Sequence, residues 1–182
     1  MIKKVLTTII LILCCTYLQA QPPTVAGVQF GTSYEQAKPI LDRRFNGGEN
    51  SYQLQRNKLT YYNVKFAGET FDYAEFFFET NGKRTFLSRA NFLKSFNNDK
   101  FLAGEMRERL VELYEKKYEY RQFLMGDGCF ADILGSNYFN PEEGFVVIEK
   151  FEDSTKSNKK KKKEWVTISY HCEGFVNVKD EI

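Results

Sequence analysis

Histidine occurs once in this chain, at position 171, directly before Cys172. Adjacent side chains on a strand point to opposite faces, so the two cannot form a local nucleophile–base dyad. A serine triad would have to draw on the same His171, and no nucleophile-elbow sequence is present. His171 therefore reads as a surface or rim residue, on the strand face of Trp165, Thr167 and Ser169. Metal chemistry is equally thin. Asp127 and Asp132 flank a turn, but Asp127-Gly-Cys-Phe-Ala-Asp132 lacks the ligand rhythm of a calcium loop. No Cys/His cluster supplies a zinc set, so neither metal nor cofactor is expected. Carboxylates number 24 in all, enough for a pair that hydrolyses glycan or peptidoglycan once folded.

Two surfaces have the chemistry of contact. The first is a lysine run, Lys159, Lys160, Lys161, Lys162 and Lys163, inside the biased loop 156–163. It fits a polyanion, but it fits a solvated hairpin tip better. Glu152, Asp153 and Glu164 offset it, and no aromatic residue is interleaved. The second is an aromatic and charged strand face. In 70–80, Ala74, Phe76 and Phe78 alternate with Phe71, Tyr73, Glu75, Phe77 and Glu79. In 84–96, Phe86, Ala90, Phe92 and Phe96 alternate with Leu87, Arg89, Asn91 and Leu93. The first set of each strand is a core face. The second set is covered by the rest of the chain or grips a partner. Tyr61, Tyr73, Glu75, Phe77 and Arg89 are the candidate binding residues.

The elements that position these residues begin after a leader. Lys3 and Lys4 precede an apolar run, and Ala20 offers a small residue before a cut, the pattern of a secretory signal. Leu18 is larger than the ideal residue three before the cut. An uncleaved anchor would need a longer apolar span. Lipid attachment at Cys14 or Cys15 would favour a small preceding residue, where Leu13 stands. Cleavage near Ala20, with a periplasmic or secreted product, ranks above both. The leader holds Lys3, Lys4 and no acid, so the net charge of +2 leaves with it. A balanced product gives no reason to expect nucleic acid, and no transmembrane helix is expected in it. Cys14 and Cys15 leave as well. Cys129 and Cys172 remain, and in an oxidising compartment they are expected to pair as a disulfide.

Residues 21–182 read as one α+β domain. Thr32-Ser-Tyr-Glu35 has capping-box spacing before a helix whose apolar face is Tyr34, Ala37, Leu41 and Phe45. Gly47 and Gly48 should stop it, and Pro39 should bend it or loosen its first turns. Residues 59–96 form a three-stranded meander, turned at Ala67-Gly68 and Asn81-Gly82. A second helix covers 100–118, burying Leu102, Met106, Leu110, Leu113 and Tyr114. Strands follow at 119–125, 145–152 and 165–172, while 130–141 carries no clear pattern. The result is an antiparallel sheet built from meanders, with two helices packed on one face. Leu41-Asp-Arg-Arg-Phe45 then Ser51-Tyr-Gln is echoed by Leu113-Tyr-Glu-Lys-Lys-Tyr118 then Glu119-Tyr-Arg, as two diverged helix-plus-strands halves would show.

The segment Gly27-Val-Gln-Phe-Gly31-Thr-Ser-Tyr-Glu-Gln-Ala, followed by Leu41-Asp-Arg-Arg-Phe45, resembles small exported proteins of Gram-negative Bacteroidota. With the meander behind it, it is also similar to the β-lactamase-inhibitor-like and outer-membrane-assembly lipoprotein fold. Those proteins usually carry Gly-Met-Thr where this chain has Gly31-Thr32-Ser33. The resemblance implies an envelope compartment and an α+β fold, and it carries over no catalytic residue. The function expected is a non-enzymatic binding or interaction module whose partner is a protein or glycan of the envelope. A carboxylate-pair hydrolase and a polyanion binder using 156–163 are the alternatives.

Overall fold

A computed structural model describes residues 24–47, 51–55, 57–81, 84–97, 99–116, 118–125, 129–135, 145–152 and 163–172, with backbone only for 51–55, 81, 84, 119–125, 129–135 and 145. A short hairpin, β1 (Thr24–Val25) and β2 (Val28–Gln29), leads into helix α1 (Tyr34–Arg44). Four strands follow: β3 (Ser51–Gln55), β4 (Lys58–Phe66), β5 (Glu69–Asn81) and β6 (Arg84–Asn97). Helix α2 (Lys100–Glu115) then precedes β7 (Glu119–Met125), β8 (Cys129–Gly135), β9 (Phe145–Glu152) and β10 (Lys163–His171). The eight long strands form one sheet in the order β3-β4-β5-β6-β10-β9-β8-β7, every pair antiparallel. This is an α+β architecture. Each half is a helix followed by a four-stranded meander, and the last strands of the two meanders pair at the centre of the sheet.

Both helices lie on one face. Tyr34, Ala37 and Leu41 turn α1 inward, with Tyr34 edge-on to Phe78 at 5.2 Å. Ala103, Met106, Leu110 and Tyr114 do the same for α2. Tyr114 shares a hydrogen bond with Tyr170 of β10, whose ring meets Phe92 at 6.2 Å. One apolar core joins these side chains to Leu59, Phe71, Phe76, Ile148, Val166 and Ile168. Fully burying one such side chain stabilises by about 1.5–3 kcal/mol.

Local chemistry adjusts several expectations. The N-cap of α1 is Ser33 rather than Thr32; its hydroxyl accepts from the Gln36 amide at 3.3 Å. The carbonyl of Thr32 is occupied by the Leu87 amide at 2.8 Å, which ties the helix entry to β6. The helix runs unbroken through Pro39 and closes at Phe45, and Asn46 takes the left-handed conformation that Gly47 was expected to supply. In α2, Leu102 and Leu113 are exposed, and Ala103 fills the inward position instead. The Ala67-Gly68 turn has positive φ at both residues, 49° and 79°, the tight form that matches strand twist.

The expected Cys129–Cys172 bridge does not fit the strand register. Ala131 pairs with Glu149, which sets Cys129 level with Phe151, and Phe151 pairs with Trp165. Cys172 lies seven residues beyond Trp165, just past the end of β10. Seven residues of strand span ~23 Å, and the two cysteines are also two strands apart. A disulfide needs Cα atoms within about 7 Å, and the two residues stand at opposite ends of the sheet.

Candidate functional site

The sheet face opposite the helices is arranged in cross-strand rows. Lys58, Phe77, Arg89 and His171 are successive neighbours from β4 to β10. Beside them run Thr60, Glu75, Asn91, Ser169 and Val147. The next row holds Tyr62, Tyr73, Leu93, Thr167 and Glu149, and the last holds Ser95, Trp165 and Phe151. Neighbours within a row are ~4.8 Å apart along the hydrogen-bonding direction, close enough for side chains to touch.

Four of the five sequence-predicted residues come together here. Tyr73, Glu75 and Phe77 share β5, and Arg89 stands opposite Phe77. The Arg89 guanidinium lies 4.2 Å from the Phe77 ring centroid, a cation–π contact. Lys58 donates to Glu75 at 2.7 Å and stands 5.8 Å from the same ring. Lys58 is thus paired with Glu75, while the Arg89 cation rests on the Phe77 ring.

Tyr61 is a correction. It pairs with Ala74 on the core face and is fully buried. Its ring meets Phe45 at 5.5 Å, and its hydroxyl donates to Asp42 at 2.8 Å. Burial pushes the phenol well above its ordinary range, and the bond to Asp42 pushes it further. Two irregularities explain why simple alternation misplaces side chains in this sheet. Asn63 takes φ 53° and lies level with Asp72, between the pairs Tyr62–Tyr73 and Val64–Phe71, so Phe71 turns into the core. A bulge at Ser88 shifts the β5–β6 register between Phe77 and Phe78. It buries Leu87 in the core in place of Phe86.

Sequence reasoning missed the row that gives the face its character. Tyr62 and Tyr73 stand 6.3 Å apart, and Tyr73 reaches across β6 to Trp165 at 6.0 Å, edge-on. Tyr62 is 43 % exposed and Phe151 37 %. Partial burial raises the Tyr73 phenol, and Glu75, Asp72 and Tyr62 add to the shift. The signal was available in the alternation Lys58-x-Thr60-x-Tyr62 and in Trp165-x-Thr167-x-Ser169, but only the register brings the two strands' rings together.

Polar atoms lie between these rings. The Asn91 Oδ1 and Thr167 Oγ1 atoms are buried and meet no hydrogen-bond partner among the described residues. Glu149, level with Thr167, is raised by burial alone. Glu75, Glu79 and Glu149 are carboxylates of this face among the described residues; Glu75 and Glu149 lie three strands and one row apart, about 16 Å at the backbone. A glycosidase pair works at roughly 5–10 Å, so these two cannot act on one bond. Among the described residues, no group of three His, Cys, Asp or Glu side chains is placed to hold a metal ion. No described helix is long and apolar enough to cross a membrane. Lys163 opens β10 and stands 5.8 Å from the Trp165 ring, while Lys159, Lys160, Lys161 and Lys162 lie outside the described residues, as does the leader. No protein-family model, no curated protein and no solved structure matches the chain.

Proposed function

We propose that this protein is an exported, non-enzymatic binding module of the cell envelope, and that the sheet face opposite the helices holds a glycan. The observation that carries the reading is the ring row Tyr62–Tyr73–Trp165 beside the polar row Thr60, Glu75, Asn91 and Ser169. Sugars present apolar C–H faces and hydroxyl edges. Tyrosine and tryptophan suit the first, since each offers a flat apolar body with a polar tip. The polar row suits the second. Unmatched oxygens at Asn91 and Thr167 support the reading further, because buried polar atoms ordinarily have partners. The export half of the reading rests on the leader, and mass analysis of the secreted product should find Gln21 at its N-terminus.

The test is retention of the protein on insoluble peptidoglycan and on a panel of neutral polysaccharides. Tyr62→Ala and Tyr73→Ala should each weaken retention about tenfold or more while the protein stays folded, since both rings stand partly open to solvent. A folded variant that binds as the parent does removes these rings from the site. Retention on no glycan, with saturable binding of one purified envelope protein to the same face, would assign the face to a protein partner instead.

A further inference from the structure

A second site lies at the end of the sheet, where the C-terminus of α1 stands beside the β4–β5 turn. The C-terminal end of α1 and the β4–β5 turn enclose a cleft of about 380 Å³, lined by Arg44, Lys65, Phe66, Ala67, Glu69 and Thr70, with Gly68 at the turn. That volume falls within the range of small-molecule sites. Two cations and one carboxylate line it, and the carboxylate is already engaged: Glu69 accepts from Arg109 of α2 at 2.8 Å. Arg44 and Lys65 pair with no carboxylate among the described residues. The helix end accounts for a cation at Arg44, because carbonyls accumulate there. It does not account for Lys65, which comes from a strand. The floor is apolar and fixed. Phe66 stacks on Phe92 with centroids 3.9 Å apart and planes 6° from parallel, so its ring is anchored to the core.

We propose that this cleft binds a small oxyanion ligand, a carboxylate or phosphate held by Arg44 and Lys65 whose apolar body rests against Phe66. Arginine offers two parallel donors to such a group, and lysine adds a point charge from the facing strand. Glu69 is held off the ligand by Arg109, which leaves the rim positive. The cleft shares no lining residue with the ring row, and it stands or falls independently of the glycan reading.

The experiment is an amide NMR titration of the whole exported protein with benzoate, acetate and inorganic phosphate, against sodium chloride at equal ionic strength. Benzoate should move the resonances of Phe66–Thr70 saturably and more tightly than acetate, which lacks the apolar body. Saturation by phosphate in place of benzoate also supports the site and identifies phosphate as the group. The double variant Arg44→Gln, Lys65→Gln should bind about tenfold more weakly or not at all. Both side chains are exposed, so the variant should melt as the parent does, and a melting curve checks that. Shifts no larger than those from chloride, or unchanged affinity in the folded double variant, would overturn the proposal.

Discussion

Asp72 shows how a single side chain repairs a break in the sheet. The β5–β6 ladder ends at the pair Tyr73–Leu93, and the next residue of β5 replaces the missing main-chain partner with its carboxylate. Asp72 accepts from the Ser95 amide at 2.9 Å, the Ser95 hydroxyl at 2.6 Å and the Lys94 ammonium at 2.9 Å. Burial pushes this carboxyl up, but the bonds from Lys94 and Ser95 together outweigh it and hold it below the usual range. A depressed carboxylate stabilises the fold above its unfolded pKa and stops doing so as pH falls through its folded value. Asp72→Ala should therefore cost about 1–3 kcal/mol near neutral pH, and the cost should shrink in acid. Denaturant melts across that range check it. Glu149 has the opposite sign. Its carboxyl is raised by burial, so its ionisation disfavours the folded state as pH rises through that value. Glu149→Gln should be more stable than the parent at neutral pH and lose that advantage in acid. A variant no more stable at neutral pH would contradict the placement of Glu149 beneath its neighbours.

Among the elements, the meander 59–96 was legible because its turns are chemically explicit: Ala67-Gly68 is present as read, and alternating aromatic residues mark the strands on either side. The faces were legible only between irregularities. Periodicity assumes a step of two throughout, and the bulge at Ser88 and the Asn63–Asp72 break each add a residue to the count. Nothing in Phe86-Leu-Ser-Arg89 announces that Leu87 turns inward; at the bulge the Ser88 carbonyl accepts from the Cys172 amide at 3.2 Å. Leu87→Ala should accordingly destabilise by ~2–5 kcal/mol, and Phe86→Ala by clearly less, the reverse of what alternation implies. Equal or inverted costs in thermal melts would contradict the bulge. Segment 129–135 escaped the sequence reading for a different reason, since Cys129-Phe-Ala-Asp-Ile-Leu-Gly135 does not alternate apolar and polar residues. In α2, Met106, Leu110 and Tyr114 are buried as read, but the stripe is completed by Ala103, a residue too small to mark a core face by itself, in place of Leu102 and Leu113.

At the scale of the whole molecule, the two helix-plus-meander halves make a sheet with one face closed by helices and the other carrying the ring row. The central pairing of β6 with β10 does this: it places Tyr73 of the first half and Trp165 of the second within 6.0 Å. The same register separates Cys129 from Cys172, so non-reducing peptide maps should show no cross-link between them, and a 129–172 peptide would contradict the strand order. We propose the face opposite the helices as the binding surface. Amide NMR mapping of the protein with a bound neutral oligosaccharide tests it most directly. Saturable shifts are expected, centred on Tyr62, Tyr73, Asn91, Trp165 and Ser169, with the buried faces of both helices unmoved. Shifts confined to the helix layer, or none for any glycan tried, would contradict it.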